Sequence, residues 1–288
     1  MGVILAVIGA LLLTPDTLLM RLSQLDGWNM LIWRGSLSGL AYFVIWAVLN
    51  GSKTLPKVVT FDFSTLIFCQ ILNAVFFSLA IALAPVVIVL IGIATAPVFA
   101  ALLSRFILNE PISKLTLVTA FVVLAGLLIS LLGHDVAGLV LDTTTLVGLL
   151  LGLGVAFALA MNFTLIRKDS EAPFVLALSI GAICAALVGF LCADTLQWLS
   201  VPKMMSIAFT GICILPLSFV ALSYAAGSIK SSTVSLIMLC ETVLGPLWVW
   251  WGIGEKPTTM MLIGGGIVLS AIVVFIVFER RNEDFTSA

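Results

Sequence analysis

The sequence predicts an all-α membrane protein with ten transmembrane helices, arranged as two inverted repeats of five helices each. Three observations support this prediction. The chain is 62% hydrophobic and only 9% charged, whereas soluble domains average about 45–50% apolar and about 25% charged residues. Apolar runs of the length that crosses a bilayer, about 20 residues, recur along the whole chain. A short polar cassette also occurs twice, at positions that divide the chain almost in half.

The ten predicted spans are numbered 1 to 10 along the chain and are separated by short polar stretches or by prolines. They cover residues 2–20, 28–49, 63–83, 86–108, 113–133, 145–166, 173–193, 204–226, 229–253 and 258–278. The longest connections are at 50–62 and 134–144. Because the second of these also separates the two halves, the predicted repeats are residues 1–134 and 135–288.

The repeated cassette is the evidence for duplication. It reads Asn109-Glu110-Pro111 in the first half and Gly254-Glu255-Lys256-Pro257 in the second. Glu110 and Glu255 are 145 residues apart, and the apolar spans and their interruptions stay in phase at this offset. Since each half has an odd number of spans, the second half is predicted to be upside down relative to the first, as in many secondary transporters.

The positions of lysine and arginine predict that both termini are cytoplasmic. With that orientation, nine basic residues flank the spans on the cytoplasmic side and three on the other side, as the positive-inside rule requires. The two cassettes then face opposite sides of the membrane. We therefore expect a multi-pass protein of the plasma (inner) membrane, a monomer or weak dimer, whose partners are the lipid bilayer and a small-molecule substrate.

Other classes of function are disfavoured by composition. The net charge is −1 and no long basic run is present, so no nucleic-acid surface is predicted. The five cysteines form no CxxC pair and have no histidine nearby, so neither a metal nor a cofactor is expected. An enzyme would need a nucleophile with a base, or a metal-ligand cluster, and the single histidine, His134, falls in a predicted loop. A channel or a structural membrane protein remains an alternative to a carrier.

Asp16 in span 1 and Arg34 in span 2 are predicted to form an ion pair. Each lies about six residues from the same membrane face, which at about 1.5 Å per residue is a depth of about 9 Å. The short loop between the spans makes them neighbours, and an ionised group in hydrocarbon needs a partner. The pair is interpreted either as a structural clasp or as a gate in which Arg34 meets a substrate carboxylate.

Glu241 lies near the middle of span 9, and no nearby residue in the sequence neutralises it. Its counterpart at the 145-residue offset is Ala96, so the charge is not a packing requirement shared by both repeats. A carboxylate at this depth suits a substrate ammonium or a proton, and a buried structural role is the alternative. Four further side chains are candidates to face the same cavity, with interhelical hydrogen bonding or interfacial anchoring as alternatives: Asn73, Asn162, Tyr224 and Trp248.

Prolines interrupt several spans. A proline removes one helical hydrogen bond and can kink the helix. Pro97 and Pro246 lie in spans 4 and 9, which are repeat partners. We predict that these two prolines are hinges of moving helices around a central cavity. The cavity is expected to draw on spans 1, 3, 4, 6, 8 and 9, with spans 5 and 10 as outer supports.

A set of short motifs completes the sequence evidence. The first half carries Ala96-Pro97-Val98-Phe99-Ala100-Ala101-Leu102-Leu103, Leu108-Asn109-Glu110-Pro111, Gly126 and Trp33-Arg34-Gly35. The second half carries Cys240-Glu241-Thr242-Val243, Gly254-Glu255-Lys256-Pro257 and Gly264. With these motifs the whole chain resembles the EamA-type ten-helix branch of the drug/metabolite transporter superfamily. It departs from that pattern at Thr14-Pro15-Asp16, where relatives often carry a Trp-Gly pair, and in lacking an arginine in span 7.

The chain is also similar overall to the YddG-type amino-acid exporters. The resemblance implies a secondary transporter that exports small amphipathic metabolites by alternating access. Amino acids, including aromatic ones, are the leading expected substrates. Cationic drugs or nucleotide-like metabolites are the alternative.

Overall fold

The structure, a computed structural model, describes residues 2–50, 60–84, 86–132, 143–254 and 258–286. Within those residues all regular secondary structure is helical, so the predicted all-α class is confirmed. The first half contains α1 (Gly2–Leu13), α2 (Asp16–Ser23), α3 (Gly27–Asn50), α4 (Phe61–Leu83), α5 (Val86–Ile93), α6 (Ala96–Ile107) and α7 (Lys114–Leu132). The second half contains α8 (Thr143–Lys168), α9 (Phe174–Cys192), α10 (Val201–Phe209), a π-helical segment (Thr210–Ile214), α11 (Leu215–Ser228), α12 (Ser231–Met238), α13 (Cys240–Ile253) and α14 (Thr259–Thr286).

Nine stretches of the described chain are long and apolar enough to cross a membrane. Several of them are composite, because α1 continues into α2, α5 into α6, and α12 into α13, each pair forming one span. Predicted span 5 corresponds to α7, whose apolar part, Lys114–Ser130, is shorter. The chain is therefore a multi-pass membrane protein.

Helix boundaries recur at the offset that separates the two cassettes. α5 begins at Val86 and α12 at Ser231, 145 residues later, and their last residues, Ile93 and Met238, are separated by the same distance. α7 and α14 also begin 145 residues apart. The two halves therefore match in the positions of whole spans and also in the position of a break inside one span. The predicted boundary between the repeats, at 134 and 135, lies outside the described residues.

The main helix contacts join one half of the chain to the other. The most extensive pairings are α3 with α9, α7 with α14, α4 with α8, and α1 with α11. The apolar core accordingly draws on both halves, and includes Leu13, Phe163, Leu222 and Ile237. The halves thus interdigitate around one shared core. The pairing of α7 with α14 places predicted spans 5 and 10 against each other.

One end of the bundle gathers charged residues from several helices. Gly2, at the start of α1, packs against Ile229, which directly follows α11. Arg167, near the end of α8, donates a hydrogen bond to the Gly227 carbonyl at 3.2 Å and another to the Glu110 carboxylate at 3.4 Å. We call this the Arg167 end. It carries the first cassette.

The second cassette begins at the opposite end. α2 runs from the middle of the bundle to Gln24, away from the Arg167 end, and we call its far side the Gln24 end. Gly252 of α13 packs on Leu18 of α2, so α13 runs in the same direction and the chain leaves it at Gly254. The rest of this cassette lies outside the described residues. The two cassettes therefore start at opposite ends of the bundle.

The crossing of α7 and α14 depends on close backbone approach at two glycines. A Cβ atom added at Gly264 would overlap the Gly126 carbonyl oxygen and the Ser130 hydroxyl. Gly266, on the same helix, has open space at the corresponding position. Small residues allow such approach where hydrophobic burial gives little net drive between helices.

Gly264→Val is expected to separate α7 from α14 and to lower the melting temperature of the purified protein. The reason is overpacking of a tight contact, which typically costs about 1–3 kcal/mol. Gly266→Val is the matched control and should change the melting temperature much less, because its side chain enters open space. Equal losses in the two variants, measured by thermal shift in detergent, would contradict the interpretation.

Candidate functional site

Span 1 is broken at its proline. α1 ends at Leu13 and α2 begins at Asp16. Pro15 has no N–H group, so the carbonyl of Leu11, four residues earlier, lacks its usual α-helical donor and accepts instead from the N–H of Thr14 at 3.3 Å. The hydroxyl of Thr14 donates a hydrogen bond to that carbonyl at 2.8 Å. The break places Asp16 in the first turn of α2, where the helix dipole favours a negative charge.

The Asp16 carboxylate accepts a hydrogen bond from the Arg34 guanidinium, so the predicted ion-pair contact is present. The side chains of Asp16 and Arg34 are 1% and 11% exposed. One polar atom of each side chain, Oδ1 of Asp16 and Nε of Arg34, is buried without a hydrogen-bond partner. The guanidinium carbon also lies 5.1 Å from the centre of the Phe77 ring, a cation–π geometry.

Spans 4 and 9 are broken as well, between α5 and α6 and between α12 and α13. Pro97 lies in the first turn of α6, so the predicted flexible point of span 4 adjoins a helix break. In span 9 the break is at Leu239, and Pro246 lies inside the continuous helix α13. The hinge role of Pro246 stays a prediction. Thr242 stabilises the actual break by donating to the Leu239 carbonyl through its N–H at 3.0 Å and its hydroxyl at 2.7 Å.

Glu241 occupies the first turn of α13. Like Asp16, it therefore stands at the N-terminus of a half-helix in the interior of the bundle, where the dipole favours an anion. Glu241 makes no hydrogen bond or ion pair with another described residue. Its carboxylate is thus available to a ligand. In the described parts of the chain, no three histidine, cysteine, aspartate or glutamate side chains come together as a metal site.

The breaks surround a cavity of about 70 Å³, which is lined by the last residues of α1, α5 and α12. Five charged or amide side chains reach it: Asp16, Arg34, Gln70, Asn73 and Glu241. Most of the remaining wall is apolar, a combination typical of small-molecule sites. One water needs about 10–15 Å³, so the cavity holds several atoms in this conformation and would have to widen for a larger ligand.

The cavity draws on more spans than the sequence predicted. The expected spans all contribute, but so do spans 2 and 7, through α3 and α9. These two helices approach the centre because Gly35 and Gly39 of α3 allow close packing on Ala182 and Ile183 of α9. Glycine at such positions lets helix backbones approach within a membrane.

Sequence patterns did not single out three lining side chains: Tyr42, Gln70 and Phe77. A usable signal was present. Tyr42 follows Arg34 by eight residues, and Gln70 and Phe77 stand three residues before and four residues after Asn73. Residues at these spacings share one face of a helix. A search for residues on the same helix face as Arg34 and Asn73 would have found all three.

Asn162, a predicted cavity residue, lies beside the cavity rather than in its wall. Its side-chain amide donates a hydrogen bond to the side-chain oxygen Oε1 of Gln70 at 3.5 Å, which joins α8 to α4. Its own carbonyl oxygen, Oδ1, is buried without a partner. This is the interhelical hydrogen bond that the sequence offered as the alternative role.

Tyr224 is not brought to the cavity. Its side chain is 45% exposed, and its ring meets Phe174 edge-on with 5.0 Å between the ring centres. The α11 residues that line the cavity are Leu215 and Phe219. These two are four residues apart and share a face of α11, whereas Tyr224 projects from another face.

Trp248 is also absent from the cavity wall. Its indole N–H donates a hydrogen bond to the Thr14 hydroxyl at 2.9 Å. The ring is therefore directed at the break between α1 and α2 and not at the space that Glu241 faces.

Comparison with known families matches residues 1–132 to the EamA-like transporter family. The resemblance drawn from the motifs is thus confirmed over the first half. The matched residues supply Asp16, Arg34, Gln70 and Asn73 to the cavity, and Glu241 comes from the other half.

A curated relative and a solved structure are also similar to this chain. The uncharacterized transporter YdfC of Bacillus subtilis (strain 168) is 27% identical over 201 residues, which cover 67% of this chain. The match spans 63% of the length of that relative, less than two thirds. A solved crystal structure superposes with a TM-score of 0.80 over 97% of each chain at 16% identity, which shows that the two proteins share a fold.

Proposed function

We propose that the protein is a secondary transporter that exports small amphipathic metabolites by alternating access, with amino acids, including aromatic ones, as the leading substrates. The observation that carries the proposal is the polar cavity between the halves, bordered by three broken spans. Broken helices at mid-membrane are typical of transporter binding sites. The family of residues 1–132 and the transporter relative support transport as the activity.

We further infer that residues 1–134 and 135–288 are inverted repeats. The shared offset of helix boundaries and the placement of the two cassettes at opposite ends support this arrangement. In such transporters one bundle of helices rocks against another around a fixed site, and a bundle can draw helices from both repeats. The Arg167 end, which also carries Lys168 and Lys230, is assigned to the cytoplasm under the positive-inside rule.

The chemistry of the cavity fits an amino acid. The unpaired Glu241 carboxylate suits a substrate ammonium, and the unused Nε of Arg34 suits a substrate carboxylate. Charge-assisted hydrogen bonds of both kinds are stronger than neutral ones. The apolar wall, including Phe77 and Phe219, can accept side chains of different shape, which favours broad specificity.

Organic cations are the second candidate. Two carboxylates, from Asp16 and Glu241, face the cavity against one guanidinium, from Arg34. When all three are ionised, the described wall carries a net negative charge and attracts a cation. A nucleotide-like metabolite fits less well, because Arg34 is the sole basic side chain among the described lining residues.

Counterflow in reconstituted proteoliposomes tests the proposal. Vesicles are loaded with one unlabelled compound at a time from a panel of amino acids, organic cations and nucleotides. We expect amino acids to drive saturable uptake of a labelled amino acid. Ala74→Trp, which fills the cavity from α4, should abolish that uptake while the protein remains folded. Uptake driven by organic cations alone would favour the second candidate, and saturable movement of no compound by folded protein would overturn the transporter proposal.

A further inference from the structure

The two half-helices that carry the cavity carboxylates pack directly on each other. α2 begins with Asp16, α13 carries Glu241 in its first turn, and the two helices are in contact. A Cβ atom placed at Gly245 would lie 3.8 Å from the Cβ of Thr17. One face of α13 therefore lies along α2 from near the cavity toward the Gln24 end.

Trp248 links this face to the break in span 1. Its indole N–H donates to the Thr14 hydroxyl at 2.9 Å, and the same hydroxyl donates to the Leu11 carbonyl at 2.8 Å. That carbonyl is the one whose usual α-helical donor, four residues on, is missing because of Pro15. A single buried threonine, two residues before the start of α2, thus joins the end of α1 to the middle of α13.

We propose that Trp248 is a positioning residue that couples α2 to α13, so that Asp16 and Glu241 move as one unit during transport. The inference rests on the proposed function, because it describes how the same cavity changes its access. The Asp16–Arg34 contact joins this unit to a helix outside it, since Arg34 belongs to α3, which packs on α9. The Asp16–Arg34 contact is therefore the one that must break or slide when the α2–α13 unit moves.

A disulfide between the two helices tests whether they move together. The 3.8 Å separation at Thr17 and Gly245 matches the Cβ–Cβ distance of about 3.5–4.5 Å that disulfides need, and neither residue lines the cavity. Thr17→Cys with Gly245→Cys is made after replacement of the five native free cysteines. We expect the oxidised and reduced forms to transport at the same rate.

The control disulfide joins two residues of the same proposed repeat and tests whether oxidation itself inhibits transport. A Cβ at Gly227 would lie 3.2 Å from the Cβ of Ser170 at the Arg167 end, so Gly227→Cys with Ser170→Cys should transport at the same rate when oxidised and when reduced. If the reduced Thr17→Cys/Gly245→Cys protein transports and the oxidised protein does not, the coupling is overturned and the proposed function stays intact. A reduced protein that transports nothing would count against the proposed function itself.

The role of Trp248 is tested with Trp248→Phe, which keeps an aromatic ring and removes the N–H. We expect turnover to fall about 2- to 10-fold, the effect of one hydrogen bond, with KM unchanged because Trp248 does not line the cavity. Thr14→Val should lower turnover at least as much, because it also removes the hydrogen bond to the Leu11 carbonyl. The double variant should lose no more than Thr14→Val, since the Trp248–Thr14 bond is already absent there. The Thr17–Gly245 disulfide should restore turnover to Trp248→Phe. A raised KM would indicate substrate contact instead, and a folded variant that the disulfide fails to rescue would overturn the proposal.

Discussion

Asp16→Asn is expected to be among the most destabilising single substitutions in this protein. It leaves the Arg34 guanidinium, whose side chain is 11% exposed, without its ionic partner in the interior of the bundle. Removal of one partner of a buried pair typically costs about 3–5 kcal/mol. Arg34→Met should be comparably harmful, because it leaves the Asp16 carboxylate unpaired. The measurements are the yield of folded protein and the melting temperature in detergent.

Removal of both charges should be tolerated better than removal of either one. The double variant Asp16→Asn/Arg34→Met leaves no uncompensated ion, and apolar replacement of a buried pair is often nearly neutral. The matched control is the Lys168–Asp62 pair, whose side chains are 44% and 33% exposed. Asp62→Asn should change stability by about 0–1 kcal/mol. If either single variant were as stable as the double, the Asp16–Arg34 pair would not be the internal clasp described above.

The double variant also separates the two interpretations of the pair. A purely structural clasp predicts that the folded double variant transports at the parent rate. A gate, or a substrate contact through Arg34, predicts a folded protein with little transport. Stability and transport therefore have to be measured on the same preparations.

Local chemistry explains why much of the fold could be read from the sequence. Apolar runs set the spans, and the missing N–H of Pro15 and Pro97 explains why spans 1 and 4 break beside these residues. The Asp16–Arg34 contact followed from depth and a short loop, both of which are local properties. In span 9, however, the break at Leu239 is seven residues before Pro246. No residue type at Leu239 signals a break, although the break is in phase with the one in span 4.

The facing of side chains was harder to predict, because it depends on helix phase over the whole span. The π-helical segment Thr210–Ile214 illustrates the difficulty. A π turn accommodates an extra residue, and each residue of a helix advances by about 100°, so the faces of α11 are rotated relative to an uninterrupted helix. This rotation offers a physical reason why Tyr224 points away from the cavity that Leu215 and Phe219 line. The contact of Trp248 with Thr14 joins residues 234 positions apart, a separation at which no sequence pattern operates.

Glu241→Gln is expected to leave the fold intact and to remove most transport of substrates that carry an ammonium group. Glu241 makes no hydrogen bond or ion pair with another described residue, so its neutralisation leaves no charged partner behind, and the melting temperature should not fall. A hydrogen bond to a charged group contributes about 1.5–3 kcal/mol, which corresponds to a loss of about 10- to 150-fold in affinity for the ammonium form.

The control is Glu171→Gln, the same substitution at an exposed position beyond the end of α8, and it should transport at the parent rate. A desamino analogue of the best substrate adds the decisive comparison, because it lacks the group that Glu241 is proposed to hold. The parent should move this analogue poorly, and Glu241→Gln should move it no worse than the parent does. If folded Glu241→Gln transports every amine at the parent rate, Glu241 is structural. The ammonium site would then have to be sought at Asp16, whose Oδ1 also lies at the cavity without a hydrogen-bond partner.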